Sequence, residues 1–201
     1  MRKILVILTI VMSCACYAQS SKGNKLGIKT SINLSTLLGD EFQNPRPKYG
    51  YTAGAFYQIN PQKKWSMYTE LVGSFRGSRF SNGDTGYSKV ALFYMDVAAM
   101  PSYKIDEKKK VSLGPYLSYL ALSSMFKGAQ QKAFLNDIGV RPIDLGLAAY
   151  YSTQGPIVGF QVGAKLGLLD ANNGVNFTDV LPPTGTGGFI RNLSLEIGML
   201  F

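Results

Sequence analysis

The chain has 201 residues, of which 46% are hydrophobic, 12% aromatic and 16% charged, with 22 glycines, no histidine and a formal net charge of +9. An average soluble domain carries about 25% charged residues, so this composition argues against a surface wetted on every side. The absence of histidine removes the usual general base, the commonest metal ligand and the physiological pH switch, which counts against most hydrolytic and metal chemistry.

The first twenty residues read MRKILVILTIVMSCACYAQS: a basic start at Arg2 and Lys3, an apolar run from Ile4 to Met12, then small residues up to Ala18. This is the pattern of a secretory signal cleaved after Ala18, leaving 19–201 as a single domain. The apolar run is too short for a helix spanning a bilayer, which needs about 20 residues. A second reading lipidates Cys14, through Val11-Met12-Ser13-Cys14. Cys14 and Cys16 are the two cysteines, so a chain cut after Ala18 holds neither a disulfide nor a thiolate metal site. Removal of Arg2 and Lys3 lowers the net charge from +9 to +7, and the remaining dispersed cations suit anionic lipid headgroups better than a nucleic-acid groove.

Eight segments then alternate at period two, the signature of strands with one apolar face. The first, 26–34, sets Leu26, Ile28, Thr30, Ile32 and Leu34 against Gly27, Lys29, Ser31 and Asn33. In 49–59, Tyr51, Ala53, Ala55, Tyr57 and Ile59 oppose Gly50, Thr52, Gly54 and Gln58; in 65–76, Met67, Leu71 and Phe75 oppose Ser66, Tyr68, Glu70, Ser74 and Arg76. The fourth, 89–103, has Asp96 alone marking its polar side, and the fifth, 111–122, sets Val111, Leu113, Leu117 and Tyr119 against Ser112, Gly114, Tyr116 and Ser118. The sixth, 143–151, carries Asp144, Gly146 and Ala148 on one face, and the seventh, 157–169, alternates from Val158 to Leu168 against Gly159, Gln161, Gly163, Lys165 and Gly167. The last, 191–201, puts Leu193, Leu195, Ile197, Met199 and Phe201 on one side and Asn192, Ser194, Glu196, Gly198 and Leu200 on the other.

The connections differ in kind. NPQKK, the KIDEKKK region and STQGP are short, with KKK at 108–110 read as a solvated turn, whereas the segments near 35–48, 77–88, 123–142 and 170–188 are long. Strict alternation of short and long is the rhythm of an up-and-down barrel, and it argues against a sandwich with Greek-key crossings. The predicted fold is therefore all-β: an eight-stranded antiparallel transmembrane β-barrel with short periplasmic turns and longer extracellular loops.

A soluble lipocalin-like barrel also alternates, with its apolar face inward. The polar faces here are poor in charge, and the candidates Lys29, Glu70, Arg76, Asp96, Asp144, Lys165 and Glu196, three positive and four negative, nearly cancel. Charges taken out of water need partners, so these seven are expected to form a network inside the lumen with the apolar faces turned to lipid. Tyr49, Tyr51, Tyr57, Trp65, Phe75, Tyr87, Tyr103, Tyr119 and Tyr151 then fall near strand ends, where aromatic girdles meet the two lipid–water boundaries.

Six phrases in order, LGIKTSINLSTL, YTELVGSFRG, YMDVAAMPSYK, VSLGPYLSYLAL, IDLGLAAYY and RNLSLEIGMLF, resemble the PorT-like outer-membrane β-barrel family of Bacteroidetes-type bacteria. The chain departs from that family's pattern at Ala98, delaying its proline to Pro101. The ending on Leu193, Leu195, Ile197, Met199 and Phe201 resembles the carboxy-terminal signature read by barrel-insertion machinery. What the resemblance implies is residence in the bacterial outer membrane, among outer-membrane lipids and lipopolysaccharide, without a cofactor.

An eight-stranded barrel has room inside for side chains and little else, so Phe56, Tyr68, Tyr116 and the charges are expected to plug the lumen. The leading expectation is a non-enzymatic surface-exposed or accessory protein that binds a partner, in the setting of secretion or envelope assemblies, with Met125, Phe126, Phe134 and Phe177 as candidate loop contacts. The alternatives are an outer-membrane enzyme acting on lipid A or peptides, built on Glu70, Asp96 and Glu196, and a soluble periplasmic lipid carrier.

Overall fold

The computed structural model describes residues 23–39, 45–81, 87–127, 130–134, 141–155, 157–170 and 191–201. The signal region 1–18, with Cys14, and Phe177 lie outside the described residues. The strands are β1 (Asn24–Leu38), β2 (Arg46–Ile59), β3 (Trp65–Ser81), β4 (Tyr87–Lys104), β5 (Lys109–Lys127), β6 (Gln130–Phe134), β7 (Ile143–Thr153), β8 (Gly159–Gly167) and β9 (Arg191–Leu200).

All pairings are antiparallel, in the order β4-β3-β2-β1-β9-β8-β7-β5, and β5 pairs with β4 to close the circle. The result is a closed barrel with eight wall positions. Closure is what a wall in hydrocarbon requires, since an open edge would leave unpaired backbone N–H and C=O groups where there is no water. Following the registers from Leu26 to Tyr57, Thr69 and Ala99, then through Leu147, Leu166 and Leu193, returns to β1 at Thr36. That shear of about ten residues over eight strands tilts them by about 40° and sets a radius that side chains can fill.

The segments expected as long connections at 35–48 and 77–88 are largely strand, β1 running to Leu38, β2 starting at Arg46, β3 running to Ser81 and β4 starting at Tyr87, and two further departures have local causes. The segment expected as a loop at 123–142 instead extends β5 to Lys127, and β6 folds back on it, pairing Ser124 with Phe134 and Lys127 with Gln130. Because β6 and β7 both pair with β5 at different heights, the sixth wall position is split into an upper and a lower piece. Met125 and Phe126 therefore belong to β5 and Phe134 to β6, rather than to a loop. The β4–β5 ladder is also open between Ala98 and Ser102, a stretch that places Pro101 on one strand near Pro115 on the other. Neither proline has an N–H to donate.

The faces alternate along the strands wherever their side chains are described. Ile28, Ile32, Leu71, Val97, Leu113, Leu117, Val162, Leu195 and Ile197 point out of the wall, and Tyr49, Tyr51, Trp65, Phe75, Tyr119 and Tyr151 cap this apolar band toward its edges. Trp65 packs edge-on against Tyr103 at 4.9 Å between ring centres, and Phe75 lies tilted against Phe93 at 4.6 Å. Inside, glycine makes room for aromatics: a Cβ on Gly163 would sit 2.0 Å from the Tyr150 ring, and one on Gly146 2.5 Å from the Tyr116 ring.

Candidate functional site

The lumen is filled in three tiers. Toward the end that holds the short turns 60–64, 105–108 and 154–158, an apolar plug packs Phe56, Tyr68, Ala98, Met100, Tyr116, Ala148, Tyr150 and Leu200. At the opposite end, Ser35, Ser74, Ser78, Ser123 and Ser194 line the wall with Leu37, Val72, Val90, Leu92 and Leu120. Between them lies an ionic tier.

Lys165 on β8 is its centre. The ammonium lies 2.9 Å from Asp96 Oδ2 on β4, 3.0 Å from Glu70 Oε1 on β3 and 3.6 Å from Glu196 Oε1 on β9. Lys29 on β1 bridges Glu70 and Glu196 at 2.9 and 3.0 Å, and Arg76 on β3 pairs with Asp96. Neutral donors add to the shells of two of the carboxylates: the Tyr150 hydroxyl donates to Glu70 Oε1 at 2.8 Å, the Tyr68 hydroxyl to Glu70 Oε2 at 3.2 Å and Ser118 to Asp96 Oδ1 at 2.6 Å. The Arg76 guanidinium rests over the Tyr94 and Tyr116 rings at 5.2 and 5.5 Å, and the Lys29 ammonium over Tyr150 at 4.1 Å. Buried charges are tolerated on these terms, with opposite partners and hydrogen bonds together.

Of the seven charged residues singled out in the sequence, six meet in this tier. Asp144 is buried apart from it and accepts hydrogen bonds from Tyr116 and Asn192 at 3.2 Å each. Sequence reasoning passed over three interior groups. Tyr94 and Tyr150 share the face of Asp96 and of Asp144, so the period-two pattern could have found them. Lys110, read as part of a solvated turn, is the second residue of β5 and points into the barrel on the face of Ser112 and Gly114. The turn is shorter than expected, ending at Lys108.

Chemically, the ionic tier is a brace. Glu70, Asp96 and Glu196 are enclosed and each faces at least one cation. Among the described residues no group of histidine, cysteine or carboxylate ligands could hold a metal ion, and no helix is long and apolar enough to cross a membrane. The wall crosses with strands, and its polar lumen and apolar exterior are the reverse of a soluble lipid carrier.

No curated protein sequence matches the chain. Among solved structures it is similar to Neisserial surface protein A, with a TM-score of 0.59 and 15% identity, covering 89% of this chain and 98% of that one. It is also similar to Ail, the attachment invasion locus protein of Yersinia pestis, in complex with the heparin analogue sucrose octasulfate, with a TM-score of 0.50, 15% identity and coverage of 90% and 100%. At such identity the likeness speaks for the fold alone. The family model described as outer membrane protein beta-barrel domain matches residues 17–180; the chain belongs to that family, and its place is the bacterial outer membrane.

Proposed function

We propose that this barrel is a non-enzymatic surface-exposed or accessory protein, which works through its outer rim and lipid-facing wall rather than through its lumen. The observation that carries the reading is the ionic tier: Lys165 on β8 reaches across the bore to Glu70 on β3 and Asp96 on β4, while Lys29 and Arg76 hold the same carboxylates from neighbouring parts of the wall. Solute flow would have to break those contacts, and catalysis would need a substrate to reach buried groups. What remains available to a partner is the extracellular rim, where β3, β4 and β5 run 17, 18 and 19 residues, well beyond the about 9 to 11 that a tilted strand needs to cross hydrocarbon.

A PorT-like role among Bacteroidetes-type bacteria, linked to secretion or envelope assembly, is the finer form of this proposal, supported by the six phrases quoted above. So are an export signal at 1–18, an insertion signature at Leu193 through Phe201, a surrounding of lipopolysaccharide, and partner contacts by Met125, Phe126, Phe134 or Phe177. Extraction of the native protein in mild detergent and recovery of what travels with it tests the accessory role: a stoichiometric envelope partner is the expected result. Conductance of the purified barrel in planar bilayers tests the sealed lumen, and steady ion flow through the wild-type protein would overturn it.

A further inference from the structure

Charge is balanced in the ionic tier and unbalanced below it. At the mouth bearing the short turns, which is the periplasmic one in this architecture, β4 and β5 place Lys104 directly opposite Lys110, both on the inward face. One step up, on the same face, Ser102 and Ser112 are hydrogen-bonded at 2.5 Å, and across the bore Lys25 holds its ammonium 5.9 Å over the ring of Phe56, the floor of the plug. Lys110 is 1% exposed, and among the described residues its hydrogen-bond partner is a neutral one, Gln58 Oε1 at 3.5 Å. Lys104 and Lys25 both act on it electrostatically.

Like charges facing each other across a strand pair destabilise it, and an ammonium withdrawn from water without a counter-charge is costlier still. The chain itself supplies little to offset this. Residues 1–23 contain no Asp or Glu, and of the three short turns one alone carries acids, Asp106 and Glu107. Asp106 spends its carboxylate on the backbone N–H groups of Lys108 and Lys109, both at 2.8 Å, and on the Lys109 ammonium at 3.4 Å.

We infer that the periplasmic mouth is a binding site for a phosphate group, received between Lys25, Lys104 and Lys110 above the Phe56 floor. Phosphate is favoured over carboxylate because three ammonium groups approach from separate strands, as point charges with freely turning donors. A planar carboxylate is better matched by the fixed fork of arginine, and this mouth has none among its described residues. The site is separate from anything bound at the extracellular rim.

Calorimetric titration of the folded barrel in zwitterionic detergent tests the inference, with inorganic phosphate and glycerol 1-phosphate as the free and carried forms and citrate as the carboxylate comparison. One-to-one binding of at least one phosphate, tighter than citrate, is expected; which of the two binds more tightly tells free anion from carried group. The double variant Lys104→Gln/Lys110→Gln should weaken it about tenfold or more, the scale of a lost charge-assisted hydrogen bond. Lys63→Gln/Lys64→Gln removes the same charge from an exposed turn of the same rim and should leave binding within about twofold, as expected for screened surface charge. If the double variant does not fold, as judged by its heat-dependent shift on electrophoresis, Lys104→Gln alone serves, because that side chain is partly exposed. No binding of either phosphate, citrate binding as tight, or equal weakening by the exposed pair would overturn the inference.

Discussion

Lys165→Met removes the cation on which the ionic tier converges while keeping most of the side-chain volume. At about 3 Å an ammonium and a carboxylate attract by about 5 kcal/mol at an effective dielectric of 20, and Lys165 makes two such contacts and a longer third. Desolvation consumes several kcal/mol of that gain, so the net loss on removing one partner of a buried network is about 3 to 5 kcal/mol. The damage lies in what is left: Glu70, Asp96 and Glu196 against Lys29 and Arg76 alone. Adding Glu70→Gln restores the balance, with Lys29 serving Glu196 and Arg76 serving Asp96, so the double variant should recover about 1 to 3 kcal/mol relative to additivity. Urea unfolding from phospholipid vesicles can be followed through Trp65, the single tryptophan of the chain, which stands 64% exposed on the lipid-facing wall. A Lys165→Met barrel within about 1 kcal/mol of wild type, or strict additivity in the double variant, would refute the account of the lumen as an ionic brace.

Gly163→Ala drives a methyl against the Tyr150 ring and to 2.5 Å from the Ala149 carbonyl, and should cost about 1 to 3 kcal/mol in the same unfolding assay; a neutral result would mean that the plug is loosely packed. Ile197→Arg, on the outer wall opposite Ile32 and Val162, should destabilise by about 2 to 4 kcal/mol if that wall faces mid-bilayer, and spin labels at Val162 and Ile197 should be relaxed by oxygen rather than by a water-soluble reagent. Deletion of Phe201, whose backbone exchanges hydrogen bonds with Ile28 at 2.8 and 3.1 Å, should lower the heat-modifiable fraction recovered from outer membranes; undiminished assembly would remove the terminal strand from the insertion signature. The backbone N–H of Lys108, first among several donors, lowers the pKa of the exposed Asp106 carboxyl. Its contribution to turn stability is therefore full above the ordinary carboxylate range and lost as pH falls through the lowered value, and NMR titration of Asp106 at or above about 3.9 would contradict the turn geometry.

The barrel was legible because a β-strand sends successive side chains to opposite faces, so each strand carries its own record of inside and outside. Lys29 and Glu196 each stand among small or polar neighbours at even spacing, while Val97 and Ile197 stand among apolar ones; Asp96, between Tyr94 and Ala98, marks its face by itself. Short turns alternating with long connections supplied the topology. Tyr94, Tyr150 and Lys110 were passed over although the same parity reaches them, the last because a run of lysines suited a turn. The extension of β5 and the split sixth position had no such signal, since hairpin pairing of 124–127 with 130–134 depends on the wall rising there beyond the membrane.

What the sequence determined by itself is the sign of each position: which side chains meet hydrocarbon and which meet the lumen. What only the tertiary structure decided is who meets whom. That Lys165 lies between Glu70, Asp96 and Glu196, and that Lys25 stands across the bore from Lys104 and Lys110, follows from offsets between strands accumulated around the whole circumference. No single strand encodes that sum; it is fixed when the sheet closes on itself and the shear takes one value.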